Sequence, residues 1–326
     1  MSRLNDVLST ITVDPTPLTI AVIAGGWDHE RDISLRSGNR VAQVLRDCGH
    51  TVHILDVDSD MIPRLKEISP DVVWPLVHGG TGEDGSLQNI LIALGLPYVG
   101  THSDGCQLAS FKPTSKAMVR TAGVLTPDSL TLPKTFFAQL GARTVLDVVC
   151  EHLQLPVVVK PFQGGSALGV SMANNEETLR TAMVECFSYA PDALIECMVD
   201  GTEVAVSVVD LGNGPIALDP VEIVTDGNYD FDARYNPGRS EYFTPARLDE
   251  STTAKVCEMA ERVHRALGLG TFSRTDIIVD HDGTPWFIDL NVTPGMTETS
   301  LFPIAAAVTG KLPDLYNAMV HAPLAS

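Results

Sequence analysis

Three oxygen-bearing side chains near the C-terminus are spaced for metal chemistry. Asp276 follows Arg274 and Thr275 in one alternating segment, and Asp289 and Asn291 stand two apart in the next. A period of two places Asp289 and Asn291 on one face of a strand. A turn at Asp280–Gly283 brings Asp276 alongside them. Two carboxylates and an amide oxygen form a hard ligand set of the kind that holds Mg²⁺ against substrate phosphates. Without a cation the two acids would repel each other across the strand pair. Trp286, Phe287 and Ile288 mark the strand as packed rather than as an exposed polar face.

Three glycine-rich segments could meet the anionic and cationic ends of a substrate. Lys160 leaves an apolar strand and is followed by Pro161-Phe162-Gln163-Gly164-Gly165-Ser166-Ala167-Leu168-Gly169. A lysine with a small-residue loop suits phosphate, the lysine supplying charge and the loop backbone donors. No G-K-[ST] closes it, so it is not a P-loop. His78-Gly79-Gly80-Thr81-Gly82-Glu83-Asp84-Gly85 surrounds a carboxylate with glycines that allow close backbone approach. Gly25-Gly26-Trp27-Asp28-His29-Glu30-Arg31 joins a strand to a helix, where backbone N–H groups could hold an anion. A dinucleotide fingerprint G-x-G-x-x-G is missing there, which removes the plain dinucleotide-dependent oxidoreductase reading.

The elements that must position these residues alternate between strand-like and helix-like patterns, an α/β order. TIAVIAGG (19–26), TVHILDV (51–57), DVVWPLV (71–77) and LPYVG (96–100) read as strands of one open, mostly parallel sheet with helices between them. Function then belongs at the strand C-termini. KPTSKAMVRTAG (112–123) reads as a helix start, with Pro113 in the first turn. Segment 155–171 reads as strand, loop and strand. Segment 192–210 reads as two strands about a sharp turn at Asp200-Gly201. A helix near 250–267 precedes the hairpin 271–291.

Composition bounds the partners. The chain has 326 residues, 44% of them hydrophobic and 19% charged, enough for a sizeable core in two or three subdomains. Its net charge of −19 disfavours nucleic acid and anionic membrane while leaving room for a nucleotide held by a few local cations. No apolar run is long enough to span a membrane. The six cysteines are scattered with no C-x-x-C pair, as expected of buried thiols in a reducing cytosol. Residues 1–18 lack the apolar region of a signal peptide and read as a short tail.

From about Thr19 to Leu312 the sequence resembles the D-alanine–D-alanine ligases of the ATP-grasp superfamily. The ordered motifs are GGWDHERDISLRSG, HGGTGEDGSLQN, ASFKPTSK, VVVKPFQGGSALGVS, ECMVDGTEV, YDFDARYNPG, SRTD and DLNVTPGMTETSL. The resemblance implies an N-terminal α/β domain (19–104) ahead of two α+β subdomains (105–199 and 200–326) that grip ATP. Lys112, Lys160 and Arg234 would serve the ATP phosphates, with Ser166 in the loop above them. Glu196, Met198 and Val199 would line the adenine–ribose slot, and Glu203 would take the ribose hydroxyls. Asp276, Asp289 and Asn291 would bind two Mg²⁺ ions, with Mn²⁺ an admissible substitute. Glu30 would face the ammonium of the first amino acid, near His78 and Glu83. Arg274 and the Gly295 amide would form an oxyanion site, and Ser300 and Leu301 would recognise the second carboxylate. Tyr229 to Tyr235 would form a lid, with Tyr235 linked to Ser166 and Glu30. The implied reaction is ATP-dependent formation of D-alanyl-D-alanine for peptidoglycan synthesis, by a cytoplasmic homodimer.

The sequence departs from the family at several of these positions. The family usually has Glu where Asp289 stands, Lys where Arg234 stands and an apolar residue where Thr275 stands. An Asp retracts the carboxylate by one methylene, and a planar guanidinium is not a point charge. Two alternatives stay open on this ground. One is an ATP-grasp ligase acting on another amino acid or a D-hydroxy acid, and the other is a weakened ATP-binding paralogue.

Overall fold

The computed structural model describes residues 3–9, 14–225, 227, 233–234, 238–308 and 310–325. Its strands form three sheets. The first contains β1 (Thr19–Ile23), β2 (Thr51–Leu55) and β3 (Val72–Pro75), all parallel in the order β2-β1-β3. β1 is apolar throughout because both of its faces are covered. Ile20 and Val22 pack with Val41 and Leu45 of helix Arg31–Asp47 and with Tyr316 and Met319 of helix Leu312–His321. Ala21 and Ile23 face Leu65 and Leu91, on helices Met61–Ile68 and Ser86–Ala93.

Segment 96–100 does not become a full strand. It contributes one bridge, Val73 to Tyr98, held by Val73 N donating to Pro97 O and Val99 N donating to Val73 O, both at 2.9 Å. Pro97 has no N–H to extend the ladder, and Gly100 turns away at φ +120°.

The second sheet is antiparallel, with β4 (Ser129–Pro133), β5 (Val157–Pro161), β6 (Ser171–Ala173) and β7 (Asp192–Cys197) in the order β4-β7-β5-β6. Val157 and Val159 join the core beneath helices Ala142–Leu153 and Glu176–Tyr189. Alternation therefore sends Val158 and Lys160 to the opposite face, where they line a cavity.

The third sheet contains β8 (Gly201–Val209), β9 (Ile216–Ala217), β10 (Val221–Thr225), β11 (Ser240–Phe243), β12 (Phe272–Asp280) and β13 (Pro285–Asn291). Its order is β11-β10-β8-β12-β13, with β9 beside β8. Helix Glu250–Ala266 packs on it, capped by Asp249, whose carboxylate accepts from Thr252 N at 2.9 Å.

Two expectations are corrected. β7 and β8 do exist, but they do not pair about Asp200-Gly201, because β7 belongs to the second sheet and β8 to the third. Gly201 serves close packing instead of a turn, since a Cβ there would sit 2.1 Å from Val279 O on β12. The N-terminal segment is not merely a tail. Residues Arg3–Ser9 form a helix whose Val7 is buried, and Arg3 Nε donates to Ala217 O at 2.7 Å.

Candidate active site

The three sheets converge on a cavity of about 430 Å³, and every site residue expected from the sequence lines it except Tyr235, which lies outside the described residues. Its floor is the β12–β13 hairpin. Register pairs Asp276 with Asp289 and Arg274 with Asn291, so all four share one face. A bulge between Asp276 and Ile277 leaves Ile288 as an extra residue, and its carbonyl turns to accept from Lys160 Nζ at 3.3 Å.

Cations already attend the floor acids. Arg274 grips Asp276 with Nε to Oδ1 at 2.7 Å and Nη2 to Oδ2 at 2.9 Å. Lys112 Nζ lies 2.6 Å from Asp289 Oδ2. Burial would raise the Asp289 carboxyl, but Lys112 and then Lys160 outweigh it and hold it down to about 2. Asn291 Oδ1 accepts from Thr293 N at 2.8 Å, which fixes the orientation of the amide. Among the described residues no group of three or more His, Cys, Asp and Glu could hold a metal. Two carboxylates and an oriented amide oxygen nonetheless fit Mg²⁺, which takes one or two protein acids and completes its shell with phosphate and water.

One wall is built from the second sheet and the start of the third. Lys160, only 4% exposed, is ion-paired with Glu196, so it is not a solvated surface lysine. Burial would push the Glu196 carboxyl up, but Lys160 and Lys116 together hold it below its usual range. Met198 and Val199 follow in the crossing between the second and third sheets. Glu203 on β8 is pushed up to about 7 by burial, against the pull of Arg234. The loop after β5 holds left-handed backbone at Gly164 (φ +113°), Ser166 (φ +51°) and Ala167 (φ +58°). Such conformations at non-glycine residues cost roughly 1–3 kcal/mol and gather where a loop must face a ligand.

The opposite end is built from the first sheet's loops. Glu30 is 5% exposed and accepts from the Ser166 hydroxyl, which joins the loop of the second sheet to the first. Gly79 (φ +72°) lets the backbone press onto this corner, because a Cβ there would lie 2.7 Å from Glu30 Oε2. His78 Nε2 meets Ser37 Oγ at 3.1 Å, and its Nδ1 lies 3.9 Å from Glu83 Oε1. Burial lowers His78 to about 4, so the imidazole is neutral at pH 7. Burial also raises Glu30, and burial followed by repulsion from Glu30 raises Glu83 to about 8. A corner holding two such carboxyls gains most from an arriving ammonium.

At the far side of the floor, Ser300 Oγ accepts from Thr297 N at 3.0 Å and Leu301 is buried in the core. Gly295 lets the loop press onto Ser300, since a Cβ there would fall 2.7 Å from Ser300 Oγ. Two contributors were not singled out from the sequence. Ser37 also accepts from Met296 N at 3.0 Å, tying the 295 loop to helix Arg31–Asp47. Lys116, one turn after Lys112, reaches Glu196 Oε2 at 2.7 Å from behind the cavity. The i, i+4 spacing within Lys112-Pro-Thr-Ser-Lys116 was the available signal.

The profile described as D-ala D-ala ligase C-terminus matches residues 118–321. A D-alanine–D-alanine ligase of Anaeromyxobacter sp. (strain K) is 39% identical over 298 residues, covering 91% of this chain and 94% of that protein. This chain belongs to the D-alanine–D-alanine ligase family. A ligase of that name from Pelotomaculum thermopropionicum is 35% identical, covering 93% of this chain and 96% of the other. The crystal structure of D-alanine–D-alanine ligase from Bacillus anthracis superposes with a TM-score of 0.80 at 26% identity, covering 94% of this chain and 98% of that one. The same enzyme complexed with ATP superposes at 0.78 and 25% identity, covering 95% and 98%. The family's ATP-grasp fold accounts for the parallel sheet followed by two antiparallel ones. Among the described residues no helix is long and apolar enough to cross a membrane.

Proposed function

We propose that this protein joins two molecules of D-alanine at the expense of ATP, giving D-alanyl-D-alanine, ADP and phosphate for peptidoglycan synthesis. The observation that supports the reading best is one cavity with an ammonium-seeking acidic corner at one end and a cation-and-carboxylate floor at the other. Lys112 and Lys160 bind the phosphates, with Arg234 from the lid side, and the Ser166 loop covers them. Glu196, Met198 and Val199 hold the adenine–ribose end, and Glu203 accepts the ribose hydroxyls. Asp276, Asp289 and Asn291 would hold Mg²⁺, which supplies charge neutralisation for the transferring phosphoryl group.

Charge dictates the order of steps. A carboxylate is a poor acyl donor, so the first D-alanine takes the γ-phosphoryl group of ATP and becomes an acyl phosphate. Glu30, with His78 and Glu83 beside it, fixes that substrate's ammonium. Ser300 and Leu301 hold the second D-alanine by its carboxylate, and its amine attacks the acyl phosphate. Arg274 and the Gly295 N–H stabilise the oxyanion, and phosphate leaves. Tyr235, which lies outside the described residues, would help to keep water from the acyl phosphate, as the family resemblance implies.

A substrate panel with phosphate detection and product mass tests the reading. Rapid turnover on D-alanine alone is expected. Silence with D-alanine but activity on another amino acid or a D-hydroxy acid would transfer the same chemistry to another specificity, and Asp289 and Arg234 make that comparison worth running.

A further inference from the structure

Lys116 is a charged side chain that the reaction leaves without a role. It is 1% exposed and lies outside the cavity lining. Its Nζ donates to Thr126 Oγ1 at 2.7 Å, pairs with Glu196 Oε2 at 2.7 Å and sits 5.7 Å above the Phe287 ring. A lysine ammonium is not buried so completely without compensation. Here the compensation comes from both gripping sheets, Glu196 on β7 of the second and Phe287 on β13 of the third. The 124–126 loop is itself tied to β13, with Phe287 N donating to Leu125 O at 2.8 Å.

Glu196 thereby stands between two lysines. One oxygen faces Lys116 behind the wall, and the other pairs with Lys160 at the cavity surface. We infer that Lys116 is a positioning residue for ATP, acting through Glu196 to fix the Lys160 ammonium where the phosphates bind. The inference rests on the ligase reading only in taking Lys160 as a phosphate contact. Lys160 alone would leave one buried Glu196 oxygen without a cation. With Lys116 present each oxygen has a cation beside it, and Lys160 Nζ lies between Glu196 and Ile288 O. Burial lowers Lys116 to about 8, against the pull of Glu196.

A double-mutant cycle tests this. ATP binding is titrated with magnesium present for wild type, Lys116→Met, Glu196→Gln and the double variant, beside the D-alanine KM at saturating ATP. Lys116→Met is expected to weaken ATP by about tenfold, the loss of one charge-assisted contact, with the D-alanine KM within about twofold of wild type. The double variant is expected to match Glu196→Gln within about twofold, because the lysine acts only through that carboxylate. Independent, additive losses would overturn the inference, as would parallel losses in ATP and D-alanine. Should Lys116→Met fail to fold, Thr126→Val carries the same test by removing one anchor of the ammonium. ATP then weakens and D-alanine does not, and unchanged ATP binding overturns the inference. A wild-type chain that bound no ATP would sink the ligase reading as well. Intact wild-type binding with unaffected variants would sink the role of Lys116 alone.

Discussion

Asn291 offers an amide oxygen where a third carboxylate would only add repulsion, and the Thr293 amide already orients it. Asn291→Ala is expected to leave thermal unfolding nearly unchanged while lowering kcat by at least about a hundredfold, as losing a preorganised electrostatic contact does. Asp289→Glu returns the longer acid usual in the family and is expected to keep or raise kcat. A folded but inactive variant would mean that the backbone at the Ile288 bulge is fitted to the shorter chain. Glu83 carries a pH prediction. Its carboxyl sits at about 8 in the fold against an ordinary 4.5, so the folded chain keeps a proton that the unfolded chain releases. Its contribution to stability is complete below about 4.5 and is lost as pH rises through 8. Glu83→Gln, which keeps the shape without the charge, should therefore gain Tm relative to wild type from pH 5 to 8, as thermal melts across that range will read. At this scale the sequence was legible wherever chemistry forces a residue type, as with Asp276 opposite Asp289. It was mute on Ser37 and Lys116, whose roles come from partners distant in sequence, Met296 for Ser37 and Glu196 for Lys116.

The hairpin was the element read most completely, because period-two alternation and an Asp-Gly turn mark both strands, although the bulge that sets Asp276 opposite Asp289 left no signal in the pattern. The β7–β8 reading failed for the opposite reason. Local pattern gives strands but not partners, and β8 pairs with β10 and with β12, the latter some seventy residues on. The N-terminal segment failed because a polar, short amphipathic helix looks like a tail until its burial partner is known. Val7 enters the core that joins the first and third sheets. Val7→Ala is expected to cost roughly 1–2 kcal/mol of stability in chemical unfolding, with little effect on the KM for ATP. Gly295→Ala acts on the loop that precedes helix Leu301–Ala307. Its Cβ must displace the Ser300 hydroxyl, so kcat/KM for the second D-alanine should fall roughly 10- to 100-fold, with ATP binding retained.

Across the whole molecule the cavity is owned by no single sheet. Glu30 and His78 come from the first, Lys160 and Glu196 from the second, and the acidic floor from the third. ATP bound across the second and third should stabilise the folded chain by about 2.7 kcal/mol at a hundredfold excess over its Kd, read as a Tm rise of several degrees. Strand and turn patterns placed function at the strand ends of the first sheet, whereas the meeting of the other two sheets over one cavity was implied only by the family resemblance. The central claim is that the acidic floor and the acidic corner serve one carboxyl-activating reaction. The most direct measurement is a mass-resolved time course with D-alanine and ATP as the only substrates. D-Alanyl-D-alanine is expected to appear in step with one ADP and one phosphate per dipeptide. ATP consumed without dipeptide, or no consumption by a chain that binds ATP, would contradict it.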